Sequence, residues 1–210
     1  MAARRTKITV RRGTVDDAEA ICAMFAQPRA MAGTLQLPYP SADQWRKRIA
    51  DLSPDDFLLV AEMDGEVVGN LGLHASGRGR RRHVANLGMS VHDDWQRRGV
   101  GTALLAAAID IADNWLNYHR LRLELYTDNA AALALYGKFG FQVEGTLRED
   151  AFRDGRYVDA FMMGRLRPGA LAPGKPAAAP SVADTKRTAR GAGPQALRKA
   201  TKTARKRGAS

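Results

Sequence analysis

The chain has 210 residues, of which 45% are hydrophobic, and this size and composition suit one globular domain with an appendage. Its single cysteine, Cys22, excludes an intramolecular disulfide and a cysteine-rich metal site, and its place in an apolar run predicts a buried structural thiol rather than a nucleophile. Of the net charge of +11, residues 168–210 carry +9, from ten lysines and arginines and one aspartate. A charge signature for nucleic-acid binding is therefore confined to the tail.

Neither a targeting signal nor a membrane span is predicted. The N-terminal residues MAARRTKITVRR are polar almost throughout, unlike a signal peptide. The longest apolar helix, which starts at Val100, is interrupted by Asp110 and Asp113. The four histidines lack a spacing typical of metal ligands, so no metal is predicted. The protein is accordingly expected to be cytoplasmic, without a membrane partner.

The first quarter of the chain predicts a strand, two helices and an intervening loop. Residues 6–12 alternate apolar and polar side chains, as a strand does. Helices are predicted over about 14–25 and 41–52, because Thr and Ser at their first positions are good N-caps. Prolines exclude regular helix over 33–40, which is expected to be an exposed apolar loop suited to a substrate wall.

Two β-rich runs follow and lead to a loop suited to a phosphate. The runs 57–63 and 66–74 are joined by Asp-Gly, a strong hairpin signal, and a flexible basic connection leads on to a strand ending at Val91. Gly99 and Gly101 then open a helix that reaches about residue 117. Successive backbone N–H groups at such a helix start converge on an anion, so this loop predicts a pyrophosphate cradle.

The remainder predicts a strand, a helix and a hairpin before a change in composition. The strand covers 121–126, the helix 130–139, and the hairpin 141–166. From Pro168 onward large apolar side chains almost vanish, so the tail is expected to be disordered. The predicted domains are 7–167 and the basic tail 168–210.

This order of elements resembles the GNAT acetyltransferase superfamily. The resemblance is carried by Gln-Arg-Arg-Gly-Val-Gly at 96–101, by residues 126–136 and by Phe-Gly-Phe at 139–141, and it spans about 7–167. It implies an α+β, three-layer fold: a mixed, mostly antiparallel twisted sheet of about seven strands, with helices on both faces and a splay at the acetyl-CoA strand.

Three further segments, 34–38, 113–116 and 155–160, are similar to bacterial L-amino-acid N-acetyltransferases. The resemblance implies acetyl-CoA as donor, a primary amine as acceptor and no metal. It also implies a cofactor-binding set in which backbone groups of Met89, Ser90 and Val91 pair with pantetheine, Gln96, Arg97, Arg98, Gly99, Val100, Gly101 and Thr102 hold the pyrophosphate, and Asn129 and Tyr136 touch the cofactor.

The catalytic candidates implied by the resemblance are Tyr136 and Glu124. Tyr136 would donate a proton to the departing thiolate, and the alternative is a core aromatic at helical spacing from Leu133. Glu124 would deprotonate the amine through a water, and the alternatives are an exposed strand glutamate and a water chain that needs no base. A backbone N–H near Met89 would meet the oxyanion.

The acceptor is less defined than the donor. Residues predicted to bind the substrate are Gln36, Tyr39, Arg82, Arg156 and Asp159, although each arginine also suits a solvated surface. The alternative acceptors are a protein N-terminus and an aminoglycoside-like amine, with the tail tethering the enzyme to nucleic acid or the ribosome through non-specific phosphate contacts. The composition of the tail also suits an extension that only increases solubility. For the oligomeric state, a homodimer is one of the open alternatives.

Overall fold

The computed structural model describes residues 7–169, so nearly all of the predicted tail at 168–210 lies outside the described residues. The described strands are β1 Thr9–Arg12, β2 Phe57–Met63, β3 Glu66–Ala75, β4 Val84–Val91, β5 Arg120–Tyr126, β6 Gln142–Arg153 and β7 Arg156–Leu166. The α-helices are α1 Ala18–Phe25, α2 Pro28–Ala32, α3 Ala42–Ala50, α4 Val100–Asp110 and α5 Ala130–Lys138. Single helical turns cover Val15–Asp17, Gly79–Arg81, Asp93–Trp95 and Ile111–Trp115.

All seven strands join one sheet in the order β1-β2-β3-β4-β5-β7-β6. Every neighbouring pair is antiparallel except β4 and β5, which run parallel. The β2–β3 turn places Asp64 and Gly65 at positive φ, as a tight two-residue hairpin requires. The predicted mixed, mostly antiparallel seven-stranded sheet is thereby confirmed.

The parallel pair separates after only three residues. The β4–β5 register runs from Val84 opposite Arg120 to Asn86 opposite Arg122 and goes no further. On its other side β4 stays paired with β3 as far as Val91. The last five residues of β4 therefore keep an edge that no strand within residues 7–169 pairs, and this edge faces the diverging β5.

Helices cover both faces of the sheet because the strands alternate apolar side chains. In β2, Leu59 packs in the core that includes α4 and α5, whereas Leu58 and Val60 pack with α1 and α3. On the second face Phe25 of α1 and Trp45 of α3 stack with ring centroids 4.9 Å apart. The two helical layers thus lie on opposite faces of the sheet.

Local capping chemistry explains most of the helix boundaries. Ser41 caps α3 by accepting a hydrogen bond from the Gln44 amide, and the predicted second helix is confirmed. The predicted first helix begins instead as a single tight turn, in which the Asp17 carboxylate accepts a hydrogen bond from the Thr14 amide at 2.7 Å. That carboxylate also pairs with Arg11, which lowers the pKa of Asp17.

Three features differ from the sequence-based expectations. Helix α2, which has Pro28 in its first turn, was not predicted and stands before the apolar loop. The helix after Gly101 ends its α-helical part at Asp110 and continues as a wider turn to Trp115. Cys22, expected to be buried, is half-buried and donates a hydrogen bond to the Pro40 carbonyl at 3.3 Å. Within residues 7–169, no helix is long and apolar enough to cross a membrane.

Candidate active site

A continuous cavity of about 1950 Å³ opens where β4 and β5 separate. Its walls come from α2 and α3 on one side, and from α5 and the start of α4 on the other. Pockets for a single small ligand are commonly about 300–1,000 Å³, so this cavity has room for two substrates that meet at the splay. We call the part beside α4 and α5 the donor half, and the part beside α2 and α3 the acceptor half.

The donor half combines a free strand edge with a helix N-terminus. Met89, Ser90 and Val91 of β4 line it, and their unpaired edge can receive an extended chain by main-chain hydrogen bonds. The loop before α4 places Arg97 at φ 62° and Gly99 at φ 91°, both in the left-handed region. Left-handed residues before a helix start allow successive backbone N–H groups to converge on an anion, and Arg97, Gly99, Gly101 and Thr102 line the cavity here.

Glycine suits positions 99 and 101 of the loop for two different structural reasons. Gly99 supplies the left-handed conformation that starts α4. At Gly101 a Cβ would lie 3.1 Å from Leu135 Cδ2 and 3.3 Å from Met89 Cε, closer than ordinary van der Waals contact, so a side chain there would have to displace both. Glycine at 101 therefore favours the close packing of α4 against α5 and β4 beside the donor half.

Several predicted cofactor residues support the loop through their side chains. The Gln96 amide donates to the Val91 carbonyl at 3.4 Å and to Asp93 Oδ1 at 3.3 Å, which ties the loop to the end of β4. Arg98 does not line the cavity and lies over the Trp95 ring at 4.8 Å. The Val100 side chain is buried in the core. Val100 thus offers a cofactor only its backbone groups, whereas the Arg98 side chain is exposed beside Trp95.

Helix α5 brings two predicted residues to the cavity. Asn129 caps it, with Oδ1 accepting a hydrogen bond from the Ala132 amide at 3.1 Å. Tyr136, about two turns further along α5, lines the cavity and packs edge-on against Phe141, with ring centroids 5.5 Å apart. Burial raises the pKa of Tyr136 to about 12. The phenol thus stays protonated through neutral pH, as a proton donor must.

The raised pKa of Tyr136 predicts the shape of the pH–rate profile. A proton donor with a pKa of about 12 stays protonated below that pH, so it causes no loss of kcat between about pH 7 and 10. We expect kcat to rise to a plateau as the amine loses its proton, measured by CoA release across this range. A fall of kcat with an apparent pKa near 9, without loss of fold by circular dichroism, would contradict this expectation.

The floor of the acceptor half is made by alternate residues of β3, β4 and β5. Asn70, Gly72 and His74 of β3 lie opposite Ser90, Gly88 and Asn86 of β4, and all six line the cavity. Because Asn86 is also the last partner of Arg122 in β5, Glu124 two residues later shares this face. Glu124 is exposed and lines the cavity, so the structure places it beside the splay on the acceptor side.

The residues predicted to bind the acceptor divide between the cavity and the outer surface. Gln36 lines the acceptor half, where its Oε1 accepts a hydrogen bond from Arg48 at 3.2 Å. Tyr39 is 98% exposed, and Arg82 and Arg156 are exposed as well. Asp159 accepts a hydrogen bond from the Glu149 amide at 2.8 Å, so it holds the irregular middle of β6. None of these last four lines the cavity.

Sequence reasoning missed the residues that hold the acceptor wall in place. Arg153 of the last hairpin donates to the Ala32 carbonyl of α2 at 2.9 Å and pairs with Asp128, next to the cap of α5. At the other end of α2, the Asp93 carboxylate accepts hydrogen bonds from the Arg29 and Ala30 amides at 2.9 and 3.0 Å. Helix α2 is thus fastened at both ends to loops that border the donor half.

Replacing Arg153 by methionine should therefore weaken acceptor binding. The change removes the hydrogen bond to Ala32 and leaves the carboxylate of Asp128 without its partner, so the α2 wall loosens. We expect the acceptor KM to rise about tenfold, while calorimetry shows an acetyl-CoA dissociation constant within about threefold of the parent value. Arg156→Met, in the same hairpin but outside the cavity, is the control and should change neither value.

The comparisons with known proteins agree with this geometry. Residues 24–141 match the Acetyltransferase (GNAT) family. The chain is 43% identical to the L-amino acid N-acetyltransferase AaaT of Escherichia coli over 162 residues, which cover 77% of this chain and 99% of that protein. It is 33% identical to the spermidine N(1)-acetyltransferase of the same organism over 122 residues, 58% of this chain and 63% of that protein.

Solved structures share the whole described fold. The GNAT-family acetyltransferase of Streptococcus pneumoniae superposes with a TM-score of 0.68 at 26% identity, covering 77% of this chain and all of that one. A chain with this sheet, this splay and the match over 24–141 belongs to the GNAT acetyltransferase family. The protein is an N-acetyltransferase, and the resemblance inferred from its motifs is confirmed.

Proposed function

We propose that this enzyme transfers the acetyl group of acetyl-CoA to the α-amine of a free L-amino acid or a close analogue, by direct attack in a ternary complex. The observation that carries the proposal is the 43% identity to an L-amino acid N-acetyltransferase along 99% of that protein's length. Identity at this level over a whole catalytic domain favours a shared acceptor class more than fold likeness alone does.

The shape of the acceptor half supports a small acceptor. Helix α2 closes its side, fastened by Arg153 and Asp93, and the stacked rings of Phe25 and Trp45 also line the cavity. Arg48, which lies 5.1 Å from the Trp45 ring centroid and bonds to Gln36, is a cation available to an amino acid's carboxylate. A long peptide would need an open groove that continues past the acceptor half. Helix α2, held at both ends, occupies that path.

The donor half suits acetyl-CoA. The free edge of β4 at Met89–Val91 would pair with the pantetheine arm, and the backbone of residues 97–102 would hold the pyrophosphate. When bound, acetyl-CoA supplies the acetyl thioester that the amine attacks. Asn129 would contact the cofactor beside its capping role.

Two side chains on opposite sides of the splay would move the protons. Glu124 accepts a proton from the acceptor ammonium through a water, which leaves the neutral amine that attack requires. Tyr136 donates its phenolic proton to the sulfur as the C–S bond breaks, so CoA leaves as a thiol. A backbone N–H near Met89 donates a hydrogen bond to the oxyanion.

Enzyme assay with a panel of amines tests the proposed acceptor. CoA release should be measured with methionine, phenylalanine and histidine, with spermidine and a peptide bearing a free N-terminus as competing acceptors. We expect the highest kcat/KM with one of the free amino acids. No release with any of the three would overturn the amino-acid assignment, and preference for the peptide or for spermidine would replace it with that acceptor class.

For the basic tail we propose a non-specific nucleic-acid contact, supported by its ten basic residues against one acidic. The full chain and a version ending at Arg167 should be compared for RNA and DNA binding at low salt. We expect weaker binding by the shortened chain, with acetyl transfer retained. Equal affinities would leave the tail no role in binding.

A further inference from the structure

The floor of the acceptor half contains a pit between β3 and β4. Gly72 and Gly88 are direct cross-strand partners, with the pair Asn70–Ser90 on one side and the pair His74–Asn86 on the other. A Cβ built at Gly88 would meet no atom within 4 Å, so the space above it is open, whereas a Cβ built at Gly72 would lie 2.6 Å from His74 Nε2, so the His74 ring covers that residue. We call the open space above Gly88, bordered by the His74 ring, the glycine pit.

One wall of the glycine pit carries an unsatisfied polar atom. The Asn70 side chain is almost fully buried, at 5% exposure, and lines the cavity. Its Oδ1 is buried without a hydrogen-bond partner. Within residues 7–169 it is the only buried side-chain oxygen or nitrogen that lacks one. Buried carbonyl oxygens are nearly always hydrogen-bonded, so an exception beside a cavity indicates a ligand atom that completes it.

The chemistry of Asn70 Oδ1 restricts that ligand atom to a hydrogen-bond donor. A carbonyl oxygen only accepts, and the acceptor amine is the donor-bearing group that must come to the free edge of β4. Gly88 belongs to this unpaired edge, and no atom lies within 4 Å of the point where its side chain would begin, so an amine has room there. Asn70 stands on the neighbouring strand, on the same face of the sheet as Glu124.

We propose that Asn70 is an acceptor-binding residue, whose Oδ1 accepts a hydrogen bond from an N–H of the acceptor amine. This inference rests on the proposed acetyl transfer to a primary amine, and it holds for an amino acid, a polyamine or a peptide alike. The hydrogen bond leaves the nitrogen lone pair free to point at the thioester. Asn70 takes up no proton itself.

A neutral oxygen suits this role better than a carboxylate. Attack needs the unprotonated amine, and a negative charge beside the nitrogen would favour the ammonium form and raise its pKa. An amide oxygen accepts a hydrogen bond from either form with a much weaker preference for the charged one. Asn70 therefore positions the amine, and removal of its proton is left to Glu124, across the splay.

Two substitutions at Asn70 test the assignment with whichever amine the parent enzyme acetylates best. Asn70→Leu keeps the volume and removes the oxygen, so the acceptor KM should rise at least tenfold, while the acetyl-CoA dissociation constant stays within twofold and the melting temperature does not fall. Asn70→Asp keeps an oxygen at the same place. It should retain most of the acceptor affinity and shift the rise of kcat/KM to higher pH.

The outcomes separate three cases. An Asn70→Leu variant with an unchanged acceptor KM and a higher melting temperature would show that the oxygen is an unfilled structural defect, and would overturn the proposal. Equal loss of acceptor binding in both variants would show that the amide N–H is the group used, and would overturn the assignment to an amine. A parent enzyme that acetylates no amine would instead contradict the proposed function, before either variant is assayed.

Discussion

Replacing Gly101 by leucine should raise the acetyl-CoA dissociation constant at least about 30-fold, or ~2 kcal/mol. The added side chain starts 3.1 Å from Leu135 and 3.3 Å from Met89, closer than ordinary contact, so we expect the larger leucine to push α4 away from α5 and the β4 edge. That movement displaces the backbone N–H groups at the start of α4 from the anion they would hold. Isothermal titration calorimetry with acetyl-CoA measures the effect directly.

A matched control exists on the neighbouring helix. Gly137 lies in α5, where a Cβ would meet nothing within 4 Å, so Gly137→Leu adds the same volume without closing the donor half. We expect its acetyl-CoA affinity to equal that of the parent. Circular dichroism of both variants separates loss of binding from loss of fold. An unchanged affinity for a folded Gly101→Leu variant would show that this loop does not hold the cofactor.

Removing the Tyr136 hydroxyl should lower kcat by about 10²-fold or more, with little change in acetyl-CoA affinity. Tyr136→Phe keeps the ring and its edge-on contact with Phe141, so the core of α5 is preserved. What it removes is the proton that would neutralise the departing thiolate. Steady-state kinetics and cofactor titration, performed on the same preparation, give the two quantities.

The matched control for Tyr136→Phe is the same substitution at a second buried tyrosine, Tyr118. Tyr118 is 5% exposed, as Tyr136 is, but it does not line the cavity, and its hydroxyl lies 3.4 Å from the Asp55 carbonyl. Tyr118→Phe should therefore leave kcat near the parent value. If Tyr136→Phe retained half of the parent kcat, Tyr136 would be the core aromatic that its helical spacing also allows.

Local chemistry explains which elements could be predicted. Ser41 caps α3, Asp64 and Gly65 make the hairpin turn, and Asn129 caps α5, each through atoms within a few residues. The same holds for the loop before α4, whose shape follows from the left-handed backbone at Gly99. These features needed no knowledge of what packs against them.

Contacts between distant segments account for what was missed. Helix α2 has only five residues, and its first amides bond to Asp93, more than 60 residues further along the chain. Arg153 reaches Ala32 from the last hairpin, whereas its neighbour Arg156, a sequence candidate of the same type, stays outside the cavity. Asp159, also predicted to bind the acceptor, accepts a hydrogen bond from a backbone amide of β6 and does not line the cavity.

The sequence by itself determined the family, the order of strands and helices, and the loop that suits the donor's pyrophosphate. These depend on backbone conformation, which short motifs such as Gly-x-Gly specify locally. Only the tertiary structure decided which side chains line the acceptor half of the cavity. Segments far apart in sequence make the splay, hold α2 in place and leave Asn70 Oδ1 without a hydrogen-bond partner. The alternation of side chains within one strand does not show which face of the sheet will line the pocket.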